Sequence, residues 1–155
     1  MLSVKKQFEK FVLCWLATAS KTGAPNVSPK ELFIYPNSNE IWIANIASPQ
    51  SIRNIQENPH VCISGIDIWT QKGLQCKGQA QIIEPQSKNF SKMKLVFEAL
   101  NPEQYRILQI IKIQIEKVKE IVAPSYVFNP KTSEASQIKA SKQCYKINQY
   151  FGNWD

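Results

Sequence analysis

The sequence predicts a mainly β fold with helices, α+β by content, in which about six antiparallel strands form a small barrel decorated by helices. Extended segments outnumber helical ones, most connections between them are short, and the strands are too short for a doubly wound parallel sheet. With 155 residues, of which 43% are hydrophobic, the chain is long enough for one substantial core. We therefore expect a single domain over residues 1–155, with the barrel at about 11–121 and a helical tail at about 132–155.

The first half of the chain alternates short extended segments with turns. A short amphipathic helix is predicted over Ser3–Phe11, and turn-forming residues occur at Lys21–Ala24 and Pro36–Asn39. Pro29 lies inside one extended segment and indicates an edge strand, a bulge or an irregular start. The predicted strands of this half are Val12–Thr18, Asn26–Tyr35 and Ile41–Ile46.

A strand that runs directly into a short helix forms the most informative stretch, Trp42–Pro59. Ser48 is a good N-cap residue, and a proline follows it at the first helical position. The backbone amides of Gln50 and Ser51 then lack an intrahelical acceptor, and Arg53 lies one turn further along the helix. Because helix N-termini attract anions, this helix start is a candidate phosphate site, with a purely structural cap as the alternative.

The second half contains the longest alternating pattern. Leu74–Ile83 alternates apolar and polar residues, as in a half-exposed antiparallel strand, and Gly78 within it indicates a close neighbouring backbone, a ligand or a bulge. Ile107–Val118 favours a strand, with a helix as the alternative. The other predicted elements are a strand at Val61–Trp69, a helix at Ser87–Leu100, a break at Ala123–Tyr126 and a final helix at Ala135–Tyr150.

The composition limits the classes of partner. The formal net charge of +7 suits an anionic partner, but the lysines are spread along the chain without a dense basic run. We therefore expect a small anionic ligand rather than general nucleic-acid binding. The longest apolar run, Val12–Ala17, is too short to cross a membrane, and no secretory signal precedes it, so we expect a cytoplasmic protein.

Side chains suited to metal or nucleophilic chemistry are sparse. Cys14, Cys62, Cys76 and Cys144 are widely separated and are interpreted as reduced thiols. The single histidine, His60, is interpreted as a surface residue, and we expect no metal site. No nucleophile elbow, glycine-rich dinucleotide loop or lysine-containing phosphate loop occurs, so the catalytic residues stay unknown.

A second candidate anion-binding segment is Asn26–Glu31. Alternation along an extended segment puts Ser28 and Lys30 on the same face. A hydroxyl group together with a flexible cation suits a phosphate. The alternative is a solvated Lys-Glu pair at a strand edge.

Three successive stretches carry a resemblance to a known family. They are LATASKTGAPNVSPK, IWIANIASPQSIRNIQENPHVCIS and GLQCKGQAQII, within about Phe11–Ile83. In this order they resemble the pyridoxamine 5′-phosphate oxidase-related, FMN-binding split-barrel family. The resemblance implies an antiparallel six-stranded split β-barrel with peripheral helices. It also implies a homodimer with FMN in a cleft between the subunits.

The resemblance implies cofactor-binding roles for particular positions. Contacts to the phosphate or the ribityl chain are implied for Ser28, Lys30, Ser48, Gln50, Ser51 and Arg53. Backbone contacts to the flavin ring are implied for Ala44 and Asn45, and an approach from the later hairpin for Gln71 or Lys77. Trp69, Tyr126 and Trp154 are candidates to stack on the ring, with core packing as the alternative.

The chain departs from the family in two places. Many members have an Arg-Lys pair where this chain has Gln50-Ser51, which removes two cations from a site for a dianionic phosphate. The C-terminal arginine-containing motif of true pyridoxamine-phosphate oxidases is replaced by Tyr150–Trp154, which argues against that substrate.

Two functions of different class follow from the resemblance. The first is an FMN-dependent oxidoreductase that transfers hydride at the flavin to or from a small-molecule substrate or electron donor. The second is a split barrel that binds a flavin, a haem or another anionic ligand without catalysis, as a sensor or carrier.

Overall fold

The computed structural model describes residues 4–101 and 105–147. The helices are α1 (Val4–Phe8), α2 (Pro49–Glu57), α3 (Phe90–Glu98), α4 (Pro124–Phe128) and α5 (Glu134–Cys144). The strands are β1 (Cys14–Ala19), β2 (Pro25–Lys30), β3 (Phe33–Asn37), β4 (Glu40–Asn45), β5 (His60–Asp67), β6 (Lys72–Ile83) and β7 (Gln109–Val122). The predicted tail residues Tyr150–Trp154 lie outside the described residues.

All seven strands form one antiparallel sheet in the order β2-β1-β5-β6-β7-β4-β3. The predicted fold class, an antiparallel split barrel with peripheral helices, is confirmed. The predicted number of six strands is wrong, since the segment expected as one strand at Asn26–Tyr35 forms both β2 and β3. The sheet is accordingly seven-stranded and not fully closed.

The short connection between β2 and β3 links the two edges of the sheet. β2 pairs with β1 at one edge, whereas β3 pairs with β4 at the other. Only Glu31 and Leu32 separate these strands, and the three steps from Lys30 to Phe33 span at most about 11 Å. The sheet must therefore curl until its edges approach at this corner. Pro29 lies on an edge strand, as its position in the sequence indicated.

The core lies inside the curled sheet and beneath α1 and α2. Leu16, Ile43, Ile63 and Ile113 are fully buried within it. Ile52 on α2 packs against the same cluster, which fixes this helix across the barrel. A second, smaller core is formed by α3 and the neighbouring ends of β4, β6 and β7.

Three further sequence predictions can be compared with the structure. The predicted segment Ile107–Val118 lies in β7 from Gln109 onward, so the helical alternative for this segment is wrong. Gly78 lies at a β-bulge, where a methyl group would overlap the carbonyl oxygen of Gln114, so a bulge and a close backbone explain it together. Ala123–Tyr126 ends a strand, as predicted, but then starts the short helix α4. No helix within 4–101 and 105–147 is long and apolar enough to cross a membrane.

Candidate functional site

A buried lysine at the corner where the sheet edges meet is the centre of the candidate site. Lys30 is the last residue of β2, and its side chain is only 5% exposed. Its Nζ donates to Ser28 Oγ at 2.6 Å, to Ser48 Oγ at 2.8 Å and to the Pro29 carbonyl oxygen at 3.2 Å. The structure thus brings together three of the predicted residues, from β2 and from the start of α2.

The positive charge of Lys30 has no anionic partner in the part of the chain that the structure describes. None of the ion pairs found there includes Lys30. Burial lowers the pKa of Lys30, because the ammonium form loses hydration. Cys14, which donates from Sγ to the Lys30 carbonyl oxygen, supplies no negative charge at neutral pH, since burial raises its pKa to about 12. The three acceptors of Lys30 are therefore all uncharged.

The start of α2 faces this lysine. Ser48 lies at the N-cap position, but its hydroxyl makes no capping bond and instead accepts from Lys30. The Ser48 amide donates to Asn45 Oδ1 at 3.1 Å, which holds the helix start against the end of β4. The amides of Gln50 and Ser51 lie in the first helical turn, where the helix offers no acceptor. A buried cation and a helix N-terminus thus meet at one place, and both favour an anion.

Polar side chains continue from Lys30 along the buried side of α2. Ser51 is 1% exposed and shares a hydrogen bond of 3.0 Å with Ser28. Asn26 Nδ2 lies 3.4 Å from Ser51 Oγ and 3.3 Å from Thr18 Oγ1, so it links the helix to β1. Hydroxyl and amide groups, rather than charged ones, therefore line the buried side of α2 next to Lys30.

The other two predicted residues of α2 point along the helix surface. Gln50 Nε2 donates to Asn54 Oδ1 at 2.8 Å, and Arg53 Nη2 donates to Gln50 Oε1 at 2.6 Å. Arg53 is exposed and is not hydrogen-bonded to Lys30 or its acceptors. Lys30 is therefore the buried cation at the helix start, and Arg53 is an exposed cation on its surface.

A positioning network that the sequence did not reveal fixes Asn45. Asn45 is 3% exposed, and its Nδ2 donates to Gln109 Oε1 at 2.8 Å across the β4–β7 pair. Gln109 Nε2 in turn donates to both carboxylate oxygens of Glu84 at 3.3 Å. The side chain of Asn45 therefore sets the position of the Ser48 amide, a role beyond the backbone contact expected for it.

A cavity of about 430 Å³ opens beside Lys30. Its walls come from the corner between β2 and β3, from the end of β4 and from the segment after α3. Ala44 contributes to one wall, and its amide donates to the Leu32 carbonyl oxygen at 3.0 Å. The lining residues are Pro29, Lys30, Glu31, Leu32, Ala44, Ile46, Ala47, Ser48, Leu100, Asn101 and Tyr105.

Leu100, Asn101 and Tyr105 are cavity residues that the sequence reasoning missed. The Asn101 side chain donates to the Tyr105 carbonyl oxygen at 2.8 Å and accepts from the Tyr105 amide at 3.2 Å. These bonds hold the half-exposed Tyr105 at the cavity wall. The Asn-Pro pair after α3 indicated only a helix end, and no sequence signal tied it to Lys30.

The predicted residues of the β5–β6 hairpin lie away from this cavity. Gln71 occupies the turn with a left-handed backbone (φ 52°) and is not among the cavity residues. Lys77 is exposed on β6. Trp69 packs edge-on against Tyr145, and the Tyr126 ring lies 4.7 Å from Lys72 Nζ, so both aromatic rings have packing partners within the chain. Trp154 lies outside the described residues.

Comparison with known sequences identifies one family. The sequence model of pyridoxamine 5′-phosphate oxidase matches residues 3–121, which include the whole candidate site and all of the strands except the last residue of β7. No protein of curated function matches the chain.

Solved structures share the fold at low sequence identity. An FMN-binding protein from Syntrophomonas wolfei has a TM-score of 0.67 at 10% identity, covering 78% of this chain and 85% of its own. HupZ from Group A Streptococcus has a TM-score of 0.65 at 17% identity, covering 79% and 98%. HutZ, the haem storage protein of Vibrio cholerae, has a TM-score of 0.54 at 23% identity, covering 77% and 91%. The family match ends at residue 121, so α4 and α5 lie beyond it.

Proposed function

The chain belongs to the pyridoxamine 5′-phosphate oxidase family, and from that premise we propose that it is a flavoprotein that holds the FMN phosphate between Lys30 and the start of α2. The observation that carries the proposal is the buried Lys30 ammonium group, whose three acceptors are all neutral. A phosphate would supply the missing negative charge, and charge-assisted hydrogen bonds are stronger than those to neutral acceptors.

The residues around Lys30 fit the rest of the cofactor. The hydroxyls of Ser28 and Ser48 can turn to donate to phosphate oxygens, as can the first amides of α2. The adjacent cavity of about 430 Å³ falls within the size range of cofactor sites. Its apolar wall, which includes Leu32 and Ile46, suits a flat aromatic ring.

The proposed activity is that of an oxidoreductase. Bound FMN would supply hydride transfer, so no residue of this chain has to act as a covalent nucleophile. The chain's part is to bind the phosphate at Lys30, to orient the ring against the backbone at Ala44 and to keep water from the buried side of the cavity. The substrate or electron donor is a small molecule that reaches the open side.

A non-catalytic ligand carrier or sensor is the second candidate, favoured by the uncharged Gln50-Ser51 pair at the helix start. Both side chains bond within the chain, Gln50 to Asn54 and Ser51 to Ser28, and neither supplies a positive charge for a phosphate. A haem-binding version would follow the Vibrio neighbour, whose described role is haem storage. In this chain the only histidine that could serve as an axial ligand is His60, which is exposed at the start of β5.

We also propose that the protein is a homodimer whose second copy covers the outer face of β1, β2 and β5. Trp15 on β1 is 47% exposed, Val27 on β2 is 56% exposed, and Ile66 on β5 is 39% exposed. Apolar side chains concentrated on one sheet face indicate an interaction surface. Trp15 is the direct neighbour of Pro29, which lines the cavity, so this face continues to the mouth of the cofactor site.

The four cysteines give the basis for a proposed location. Cys14 and Cys76 are buried, and all four are free thiols. Free thiols persist in a reducing compartment, and we place the protein in the cytoplasm.

The test is an FMN titration of the purified protein, followed by absorption and flavin fluorescence. We expect a yellow protein with one FMN per subunit and reduction of the bound flavin on addition of NADH or NADPH. Flavin that binds but resists both donors would favour the carrier or sensor. A colourless protein that does not bind FMN at micromolar concentration would overturn the flavoprotein proposal.

A further inference from the structure

A second cavity, of about 400 Å³, adjoins the cofactor cavity. Asn101 and Tyr105 line both cavities, so the two are contiguous at these residues. The rest of the adjoining cavity is formed by α3 and by the segment that leads into β7. Its other lining residues are Lys94, Glu98, Arg106 and Ile107. A molecule bound there would lie beside whatever occupies the cofactor cavity.

The wall that the two cavities share is held in place by the fold. Asn101 is 6% exposed, and its side chain makes two hydrogen bonds with the backbone of Tyr105. Ile107 is buried in the smaller core, and the amide of Leu108 donates to the Asn45 carbonyl oxygen at 2.9 Å. The segment is thus anchored to the end of β4, and the adjoining cavity has a fixed position relative to the candidate cofactor site.

The charges that line the adjoining cavity do not cancel. Lys94 and Glu98 form an ion pair of 2.8 Å along α3 and so neutralise each other. Arg106 is exposed, and within residues 4–101 and 105–147 it takes part in no ion pair. The cavity therefore carries the uncompensated positive charge of one guanidinium group. The neighbouring Tyr105 hydroxyl is a further hydrogen-bond donor at the wall.

These groups match a carboxylate better than a phosphate. A guanidinium group binds a carboxylate through two parallel hydrogen bonds, and the single charges of the two groups cancel. A phosphate dianion would keep one negative charge uncompensated close to Glu98. The cavity volume of about 400 Å³ is in the range of small-molecule sites, so the carboxylate belongs to a small organic molecule.

We propose that the adjoining cavity is the substrate site and that the substrate is a small organic carboxylate bound by Arg106 and Tyr105. This inference rests on the proposed flavoprotein function and deepens it by naming the substrate class. Arg106 holds the carboxylate, and the rest of the molecule extends past the shared wall toward the cofactor cavity. The arginine thus binds and orients the substrate and takes no part in the transfer of hydride.

The first step of the test compares three probes of similar size and different charge. Benzamide is neutral, and at mildly alkaline pH benzoate is a monoanion and phenylphosphonate a dianion. Binding to the full-length protein is measured by saturation-transfer NMR, which needs no flavin, and by the absorption of bound FMN. We expect benzoate to bind roughly 10-fold more tightly than either of the others, since it alone pairs with Arg106 without excess charge. Benzamide or phenylphosphonate that binds as tightly as benzoate would overturn the proposed substrate class.

The second step assigns the binding to Arg106. Arg106→Gln removes the guanidinium group and should weaken benzoate binding roughly 10-fold or more, while the affinity for FMN stays unchanged. Arg106→Lys keeps the charge but loses the planar fork, so an intermediate affinity is expected. The matched control, Lys92→Gln, removes a positive charge from an exposed position of α3 that does not line the cavity. Equal weakening in Arg106→Gln and in this control would show only an effect of net charge and would overturn the inference.

The third step changes the charge preference of the cavity. Glu98→Gln removes the carboxylate that neutralises Lys94, which leaves a second uncompensated positive charge beside Arg106. Phenylphosphonate should then bind roughly 3-fold more tightly than to the wild type, whereas benzoate should gain less. An unchanged preference between the two anions would show that these lining charges do not select the ligand, which contradicts the proposal.

The outcomes separate this inference from the proposed function. A wild-type protein that binds FMN but shows no benzoate binding in either measurement overturns the carboxylate site and leaves the flavoprotein proposal intact. A protein that binds benzoate through Arg106 but does not bind FMN overturns the flavoprotein proposal and supports the carboxylate site alone. Circular dichroism and the thermal midpoint of each variant establish that the weakened proteins are folded.

Discussion

The ammonium group of Lys30 is the single group on which the proposed function depends most. It is buried at the end of an edge strand, where burial lowers its pKa and so disfavours the charged form. The neighbouring Cys14 thiol stays neutral and does not compensate. A charge kept in such a place without an anion is typical of a binding site, where stability is sacrificed for affinity.

Replacing Lys30 with methionine should therefore separate stability from binding. Methionine keeps the length of the side chain but removes the desolvated charge, so we expect the free energy of unfolding in urea to be equal or higher. FMN affinity should fall by roughly 10- to 100-fold, the scale of a charge-assisted hydrogen bond. Urea unfolding and FMN titration measure the two effects on the same samples.

The pH dependence of this comparison follows from the lowered pKa. Folded Lys30 releases its proton below the ordinary value of 10.5, so the unfolded chain binds more protons in that interval. The wild type should gain stability relative to Lys30→Met as the pH rises toward 10.5. Lys88→Met, which removes one exposed lysine, is the control for the loss of a positive charge. A Lys30→Met protein that is less stable than the wild type at pH 7 and still retains FMN would contradict the expected effects on stability and on binding.

The part of the candidate site that the sequence predicted consists of residues that belong to a local pattern of one strand or one helix. Alternation in a strand placed Ser28 beside Lys30, and helix-capping preferences placed Ser48 at the start of α2. Gln109 and Tyr105 could not be found in this way, because their contacts with the site depend on the pairing of β7 with β4. Residue spacing predicts neighbours within an element, but not which distant elements meet.

At the scale of elements, the same limit explains why β2 and β3 were predicted as a single strand. Extended residues run from Pro25 to Asn37 with two residues that belong to neither strand. A local pattern cannot show that the first part pairs with β1 and the second with β4, because both parts are equally extended. The approach of the two sheet edges at Lys30 depends on this pairing, and the candidate site lies at the corner that it creates.

The C-terminal segment beyond the family match stabilises the turn between β5 and β6. Three successive carbonyl oxygens of the β5–β6 turn accept hydrogen bonds from it. Trp69 accepts from Ser141 Oγ at 2.9 Å, Thr70 from the Tyr126 hydroxyl at 2.9 Å, and Gln71 from the Ala123 amide at 3.1 Å. The segment therefore clamps a turn in which Gln71 has a left-handed backbone.

Ser141→Ala tests whether this clamp stabilises the turn. Ser141 is 1% exposed, and losing its hydroxyl leaves the Trp69 carbonyl oxygen without its donor, at a cost of about 1–3 kcal/mol. Amide hydrogen exchange should accelerate at Gln71, whose amide donates within the turn to the Asp67 carbonyl oxygen. The control is Lys139→Ala on the exposed side of α5. Unchanged exchange at the turn would show that α5 is bound to it without stabilising it.

At the scale of the whole molecule, charge and apolar surface are unevenly arranged on one sheet. The β1–β2–β5 part of the outer face carries Trp15, Val27 and Ile66, whereas the β6–β7 part carries Lys77 and Lys117. The strand order that puts these parts side by side also brings the cavity to the apolar edge. Oligomer state and cofactor binding are therefore expected to be linked, as the family resemblance of the sequence also implies.

Trp15→Glu tests that link directly. A carboxylate at this position would be buried without a partner when a second copy covers the face, at a cost of several kcal/mol, so dimer dissociation should increase at least about 100-fold. Because Trp15 is 47% exposed within one subunit, the folded subunit itself should tolerate the change. Light scattering gives the mass and an FMN titration the affinity. We expect a folded monomer that binds FMN poorly although Lys30 is intact. Phe128→Glu, at an 83% exposed aromatic residue on α4, is the matched control and should remain a dimer with FMN bound. A Trp15→Glu protein that stays dimeric would remove this face from the interface, and a monomer with full FMN affinity would show that each subunit holds the cofactor alone.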